Sequence, residues 1–345
     1  MKPNVIFIFI TFLLSCNHNQ AHKIKYSDLK VDSIPLTGQV LNNSFIFSWP
    51  DDILIVDSVL VIHDSFKQDS SFHVFHRHSG KHIKSFGYKG RGPGEVLFPP
   101  SIHYNPHDHT ITTFEPNLRK IIKYNLRNIL QNTNPKFQEQ IITASKHHIL
   151  QIIPYKNIYM LRENNLNTRF SILQTNDSIT VLYGEYPKIT TDPEENSAIF
   201  NYTPRWAIRP DQKKMVNATY IGSIIEIFDI RNDIKPETTT YFYPPVFRPF
   251  EGTKPKWIAT TPETIIGTDN LYCTNNYIYM IFQGKVSKHV EKKKIIVLDW
   301  QGNPKIQYNL KNGIPHAIAV DENEKTIYCV ITNSKEEYVL SKYTY

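Results

Sequence analysis

Four histidines crowd one predicted hairpin and offer the first candidate chemistry: His73, His76, His78 and His82. Imidazoles hold a metal ion when three or four donors converge on one point. If Ser79-Gly80 is a two-residue turn, His76 and His78 share one face of the hairpin, while His73 and His82 share the other. Three imidazoles and a carboxylate do not meet in this arrangement, so we expect solvated outer strands and no metal site.

A glycine-rich segment is the second candidate. Residues 85–99 read SFGYKGRGPGEVLFP, and its glycines permit positive φ and close approach of the backbone. The segment lacks the helix and the Lys-Ser/Thr pair of a phosphate-binding P-loop. We therefore interpret it as a structural crossover in which Glu95 accepts hydrogen bonds from N–H groups of its own loop. The alternative is a ligand site, with Lys89, Arg91 and Glu95 pointing into the mouth of a cavity.

Motifs for catalysis are otherwise scarce. The sequence has no G-x-S-x-G nucleophile elbow and no Cys/His spacing typical of zinc sites. Besides Cys16, the cysteines are Cys273 and Cys329, both in apolar, strand-like stretches. An oxidising compartment permits a disulfide between them, but isolated cysteines in strands are more often small buried apolar residues. We expect neither a cofactor nor a metal.

The N-terminus has the form of a secretory signal. Lys2 supplies a positive charge, and residues 5–14 form an apolar run that is too short to span a bilayer. The run ends in Leu13-Leu14-Ser15-Cys16, which resembles the bacterial lipobox, so Cys16 is the predicted site of lipidation. Several acyl chains on one residue anchor a protein stably. Asn17 in place of Asp favours the outer membrane, and a polar tether without an acidic run favours its periplasmic side.

Composition and charge limit the partners. The 345 residues carry 39 basic and 32 acidic side chains, a formal charge of +7, which becomes +6 once Lys2 is removed with the signal. The only tight basic run, residues 292–294, suits a solvated strand edge or turn. Nucleic-acid binding would require a basic stripe or a known module. Neither is visible, so we expect no nucleic-acid partner.

The rest of the chain is organised by a repeat. A turn rich in Asp, Asn, Pro and Lys is followed by an apolar β run six times, at anchors 51, 47, 57, 63 and 49 residues apart: Leu60, Ile111, Ile158, Met215, Ile278 and Ile327. Units of about 50 residues suit four-stranded sheets. Several strands are apolar at successive positions, which indicates burial on both faces. We therefore predict an all-β, six-bladed β-propeller of four-stranded antiparallel blades.

The ends of the chain support a closed ring. After Ile327 only one more strand follows, around 338–343, so the sixth blade lacks its outer strand. The segment 34–41 precedes the first blade and has no other partner. We expect it to pair with the last blade, which would cover an otherwise open sheet edge.

The segment at 85–99 resembles the F-G-x-x-G-x-G-P-G-E-hydrophobic-x-x-P motif of the TolB-like six-bladed propeller lipoproteins of the Bacteroidetes. Together with the lipobox and the six repeats, the resemblance covers nearly all of residues 16–345. It implies the fold and a location in the cell envelope, and it implies no particular chemistry. The expected organisation is a signal peptide at 1–15, a lipidated tether at 16–33 and a propeller at 34–345.

Ligands of propellers are usually held by residues that line the axis. On the predicted fold, His103 and His316 begin the innermost strands of blades two and six, and Tyr202, Arg205 and Trp206 occupy a corresponding place before blade four. An aromatic ring beside a guanidinium suits an anionic or sugar-like ligand, and it suits core packing as well.

Two hypotheses on function follow from these features. The sequence favours a non-catalytic binding or scaffold module of the envelope, with an unknown protein or small-molecule partner. The alternative is a hydrolase or lyase that acts in the central channel. Some propeller hydrolases hold a metal with acidic residues near the axis, but no recurrent acidic residue is evident at the starts of the predicted inner strands.

Overall fold

Six four-stranded antiparallel sheets follow one another along the chain, as the repeat predicts. They are seen in a computed structural model that describes residues 24–131, 136–164, 169–174, 176–232, 234–253, 256–285 and 293–345. The predicted signal peptide, Cys16 and the first part of the tether lie outside the described residues. Two short strands precede the first blade: β1 (Ser33–Leu36) and β2 (Gln39–Asn42).

Each blade runs from an inner strand at the axis to an outer strand at the rim. Blade one contains β3 (Pro50–Val56), β4 (Val59–Asp64), β5 (Ser70–His76) and β6 (His82–Tyr88). Blade two contains β7 (Ile102–Asn105), β8 (Thr110–Glu115), β9 (Lys120–Asn125) and β10 (Phe137–Ile141). Blade three contains β11 (Ile149–Tyr155), β12 (Ile158–Glu163), β13 (Phe170–Leu173) and β14 (Ile179–Tyr183).

The second half of the ring repeats the pattern. Blade four contains β15 (Arg205–Ile208), β16 (Lys214–Ala218), β17 (Ile224–Asp229) and β18 (Lys235–Tyr241). A small hairpin of β19 (Arg248–Pro249) and β20 (Ile258–Ala259) comes before blade five. Blade five contains β21 (Ile265–Cys273), β22 (Tyr277–Lys285), β23 (Lys294–Asp299) and β24 (Pro304–Leu310). Blade six contains β25 (Ile314–Asp321), β26 (Thr326–Thr332) and β27 (Tyr338–Thr344).

The apolar core lies between the blades. Each pair of neighbouring blades encloses its own cluster of buried side chains, and one such cluster also joins blade six to blade one. Strand β4 is buried at every position, because both of its faces contact a neighbouring sheet. This is the physical basis of the apolar runs in the sequence: a strand between two other blades has no solvated face.

The N-terminal segment closes the ring, and it does so on two blades. Strand β2 pairs antiparallel with β27 and supplies the outer strand that blade six lacks. Strand β1 pairs parallel with β24 and adds a fifth strand to blade five. The segment predicted to close the ring therefore covers two sheet edges in succession, and Leu36 enters the core between blades five and six.

Helices are short and lie in connections. They are α1 (Leu126–Gln131), α2 (Pro193–Asn201) and a 3₁₀ turn at Pro116–Leu118. In the part of the chain that is described, no helix has the length and hydrophobicity needed to cross a bilayer. Helix α2 and the β19–β20 hairpin lie on the face where the inner strands begin, which we call the upper face; the opposite one is the lower face.

Candidate functional site

The axis of the propeller contains two cavities, one above the other. The upper cavity has a volume of about 490 Å³ and the lower one about 430 Å³. Arg205, Gln151 and Pro100 line both, so they form the wall between them. Volumes of this size suit small-molecule ligands.

Four inner strands carry a β-bulge beside the upper cavity. The strand register shifts around Asp51 in β3, Leu150 in β11, Asp269 in β21 and His316 in β25. A bulge inserts one extra residue and redirects its side chain. All four of these residues line the upper cavity, so the same local irregularity, on four blades, supplies part of its wall.

The two basic groups of the upper cavity are both held by Asp269. Lys293 Nζ lies 2.6 Å from Asp269 Oδ2. Arg205 Nε donates to the main-chain oxygen of Asp269 at 2.7 Å. Within the described residues, the terminal nitrogens of Arg205 have no hydrogen-bond partner in the protein. A half-buried guanidinium fixed through Nε, with its terminal N–H groups free, is suited to bind a carboxylate or phosphate.

Acidic side chains stand beside this guanidinium. Asp51 accepts a hydrogen bond from Ser65 Oγ, which lies 3.4 Å from His63 Nε2. Burial raises the pKa of Asp51 above its ordinary value, although Arg205 and the Ser65 hydroxyl oppose the shift. Burial also raises the pKa of Asp52 to about 6; Arg205 opposes the shift and the charge of Asp51 adds to it. The Asp52 carboxyl therefore titrates near pH 6.

The histidines near the axis are neutral. Burial lowers the pKa of His103 and of His316 to about 4, and that of His63 to about 3, with Lys89 and Arg205 adding to the last shift. His316 Nε2 lies 2.7 Å from Thr332 Oγ1, and His103 Nε2 lies 3.1 Å from Ser101 Oγ. These imidazoles serve as neutral hydrogen-bonding groups.

Five of the residues predicted from the sequence meet at the axis. Tyr202, Arg205 and His316 line the upper cavity, and His103, Trp206 and again Arg205 line the lower one. Trp206 is mainly a core residue: it is buried and stacks on Phe170 with 5.6 Å between ring centroids.

Lys89, Arg91 and Glu95 lie outside both cavities. Lys89 Nζ donates to the main-chain oxygens of Ser65 and Leu97, at 2.9 and 2.5 Å. Arg91 is exposed. The Glu95 carboxylate accepts the Gly92 N–H at 2.7 Å, which is the contact expected of a structural crossover.

Two glycines of this loop enclose the Glu95 carboxylate. A Cβ atom on Gly90 would lie 1.9 Å from Glu95 Oε2, and one on Gly92 would lie 2.9 Å away. A side chain at either position would therefore require the Glu95 carboxylate to move.

The histidine hairpin differs from its predicted geometry. The Gly80 N–H donates to His76 O, and Phe75 pairs with His82, so the turn is longer than two residues. His73 is fully buried on the third strand of blade one, with Nδ1 2.8 Å from Ser85 Oγ, and the prediction that it is solvated is wrong. It is buried because Phe45, near the N-terminal edge strand, packs on its ring.

Among the residues that the structure describes, no group of three or more His, Cys, Asp or Glu side chains is placed to hold an ion. Cys273 and Cys329 are both unpaired thiols, and burial raises the pKa of each. The thiols therefore stay protonated and pack as apolar groups.

The acidic residues of the two cavities were not predicted from the sequence. Asp51 and Asp52 lie near the start of the inner strand of blade one, beside the upper and the lower cavity respectively. Asp269 lies in the inner strand of blade five and lines the upper cavity, so acidic residues do recur near the axis. The signal was present, because these residues come just before the apolar run that leads into a repeat turn. The repeat was defined by a turn and the strand after it. The inner strand comes before that turn, so its acidic residues were left out of the comparison between repeats.

These features define a class of protein: an all-β six-bladed propeller with a polar, charged cavity on its axis. The chain belongs to the TolB-like 6-blade propeller-like family, whose model matches residues 29–323. No curated protein matches the sequence.

Solved structures share the fold at low sequence identity. A putative exported protein from Bacteroides fragilis is 13% identical, with a TM-score of 0.54, and the match covers 90% of this chain and 98% of that one. A member of the DUF4221 family from Bacteroides vulgatus is 12% identical, with a TM-score of 0.54 and coverage of 92% and 98%. Regucalcin from Agrobacterium tumefaciens, a calcium-binding protein, is 8% identical, with a TM-score of 0.52 and coverage of 91% and 95%.

Proposed function

We propose that this protein is a lipid-anchored binding module of the bacterial cell envelope, and that its propeller holds a small polar ligand in the upper cavity. The anchor is Cys16, and the membrane is the outer membrane on its periplasmic side. The lipobox and the polar tether support this location. A fold neighbour described as a putative exported protein is consistent with it.

The observation that carries the ligand proposal is the free end of Arg205. Its Nε is fixed by the Asp269 carbonyl, so the guanidinium loses little freedom when its terminal nitrogens bind an anion. The Asp51 and Asp269 carboxylates accept hydrogen bonds, and the rings of Tyr220 and Tyr202 offer flat apolar surface. The ligand that fits carries a carboxylate or phosphate together with hydroxyl or amino groups.

Native mass spectrometry of protein purified from its own membranes tests this proposal. Wild type should carry a bound small molecule that Arg205→Gln loses, while Arg231→Gln keeps it. Arg231 is exposed on the lower face and pairs with Asp229, so its variant controls for the loss of one positive charge. Equal ligand content in all three proteins would contradict a site at Arg205.

Membrane anchoring has a separate test. Cys16→Ser should move the protein from the membrane fraction to the soluble fraction, because the acyl chains are the proposed anchor. Metabolic labelling with a fatty-acid analogue should mark wild type and leave Cys16→Ser unlabelled. A variant that stays in the membrane fraction of detergent-free extracts would refute the lipoprotein proposal.

A hydrolase or lyase in the channel is the second candidate, and the Asp52 carboxyl favours it. A half-buried acid with a pKa of about 6, in the electrostatic field of Arg205, has the properties of a general acid or base. Turnover of a panel of esters, lactones and glycosides, lost in Asp52→Asn with the fold intact, would support catalysis. A panel without turnover by wild type would favour the binding module.

A further inference from the structure

Exposed aromatic side chains are concentrated on the upper face. One group lies where blades one and two meet: Trp49 precedes β3, Phe66 lies in the β4–β5 turn, and Phe98 precedes β7. These side chains are about half exposed and contact one another, with ring centroids 6.1 and 6.3 Å apart. We call them the mouth aromatics, because Trp49 also lines the upper cavity.

The second group is Phe250 and Trp257 of the β19–β20 hairpin, and these two residues are called the hairpin tip. Phe250 N donates to Trp257 O at 2.8 Å, which places the two residues opposite each other beyond the short strands. Both side chains are about half exposed. The base of the hairpin is fixed, since Ile258 packs in a buried cluster with Ile199 and Phe200 of α2. A rigid base that presents two aromatic rings to solvent is typical of a surface that contacts a partner.

Cationic groups accompany these rings. Lys89 Nζ lies 5.2 Å from the ring centroid of Phe98, and the guanidinium carbon of Arg248 lies 5.8 Å from that of Phe250. Aromatic side chains flanked by Lys or Arg are typical of a membrane–water interface, where the rings enter the headgroup region. The exposed Arg248 is placed to meet phosphates there, whereas Lys89 Nζ is held by main-chain oxygens.

The rest of the surface lacks this combination. The other exposed large apolar side chains of the described chain lie in the N-terminal segment, on outer strands, on α1 or, in the case of Tyr277, at the lower end of β22. Val246 and Ile46 extend the two upper groups. The two exposed tryptophans, Trp49 and Trp257, are thus both on the upper face.

The N-terminal segment leaves the propeller at the same face. Ser27 N donates to Tyr241 O at 2.7 Å, and Tyr26 pairs with Tyr241, the last residue of outer strand β18. Strand β18 runs toward the upper face, and the aromatic hairpin follows it directly in sequence. Ile24, the first described residue, is eight positions after Cys16, and a chain of that length spans at most about 29 Å.

We propose that the upper face rests on the phospholipid bilayer, with the mouth aromatics and the hairpin tip in the headgroup region and the upper cavity opening toward the membrane. The inference rests on the proposed anchor at Cys16. The short span between anchor and propeller and the exit point beside the hairpin favour a bilayer as the occupant of this face.

The four tryptophans of the chain make a direct test possible. Trp49 and Trp257 are 49% and 53% exposed on the upper face, whereas Trp206 and Trp300 are 5% and 4% exposed inside the protein. The lipidated full-length protein is reconstituted in phosphatidylcholine vesicles with and without bromine on the acyl chains, which quenches nearby indoles. Tryptophan emission should fall in brominated vesicles, and the loss should disappear in the double variant W49F/W257F.

A tryptophan on the lower face supplies the matched control. Tyr277→Trp in the W49F/W257F background adds an exposed indole there, and its emission should be the same in both kinds of vesicle. Vesicle flotation is measured on every sample. Protein that floats with its lipid anchor but shows equal emission in both vesicles overturns the inference and leaves the anchor intact. Wild type that does not float overturns the anchor and, with it, the orientation.

Discussion

Arg169 and Glu226 meet across the interface of blades three and four as a fully buried ion pair, each about 1% exposed. Arg169 Nη1 donates to Glu226 Oε1 at 2.9 Å, and Nη2 contacts Oε2. Asn217 Nδ2 donates to the same carboxylate at 2.9 Å. These polar contacts join blades three and four beside the apolar cluster that the same two blades share. The guanidinium is enclosed by the rings of Phe170, Tyr186, Phe200 and Phe228.

Glu226→Gln should lower the free energy of unfolding by about 3–5 kcal/mol, because it leaves the Arg169 guanidinium buried without a counter-charge. Arg162, a second buried guanidinium in contact with Asn217, adds to the unbalanced positive charge. Urea denaturation measures the effect. Asp211→Asn, which removes the partner of the more exposed Arg209, is the control and should change stability little. Equal losses of stability in the two variants would show that burial does not make the Arg169–Glu226 pair more important than an exposed pair.

The glycine-rich loop makes a second prediction. Glu95→Ala should lower the free energy of unfolding by about 1–3 kcal/mol, because the Gly92 N–H loses its acceptor inside a loop that is shaped around the carboxylate. Thermal and urea denaturation measure the loss. Arg91→Ala should leave stability unchanged, since the Arg91 side chain is exposed. If both variants keep wild-type stability and instead lose a bound partner, the loop belongs to a ligand site.

The fold was predictable because its signals are local. In each repeat, about ten consecutive residues contain a turn and a strand that is buried on both faces, as at Leu60 and Ile327. Six such units define a ring. Ring closure by the N-terminal segment followed from counting strands. The sequence did not predict that this segment is divided between blades five and six. Strand β1 pairs parallel with the edge strand β24, and no sequence pattern indicates such a pairing.

The site was predictable only in part because it is assembled from distant residues. Arg205 was found as a guanidinium beside an aromatic ring. Asp51 and Asp269 were missed because they come before the turns that define the repeat. The bulges that place them beside the upper cavity also depend on the register between two strands, which the sequence does not show. Lys89 and Arg91 were candidates by residue type, but the crossover carries them away from the axis.

Strand β1, which helps to close the ring, gives a third prediction. Leu36→Ala should lower the free energy of unfolding by about 2–5 kcal/mol, because Leu36 is 5% exposed and packs against Tyr308 and Leu310 in the core between blades five and six. Ile34→Ala, two residues earlier on β1 and 40% exposed, is the matched control and should have a small effect. Deletion of 34–41 should lower the melting temperature of the whole domain. An unchanged melting temperature would show that the ring closes without this segment.

The last prediction concerns pH and Asp52. Burial raises its pKa to about 6 in the folded protein, whereas an aspartate in the unfolded chain titrates near 3.9. Below about pH 4 the carboxyl is protonated in both states, so the shift has no effect on stability there. Between pH 4 and 6 the unfolded state releases the proton more readily, so folding stability falls, by up to about 3 kcal/mol above pH 6.

Asp52→Asn cannot ionise, so its stability relative to wild type should rise between pH 4 and 6 and then level off. Urea denaturation at a series of pH values measures this difference. Asp299→Asn provides a control of opposite sign: burial acts against it, but hydrogen bonds from Lys305 and Asn303 lower the pKa of Asp299 to about 2. That variant should be less stable than wild type above pH 4, and its deficit should shrink as the pH falls toward 2. If the stabilities of wild type and Asp52→Asn change with pH in parallel, the pKa of Asp52 has its ordinary value. The argument for a general acid or base in the channel then fails.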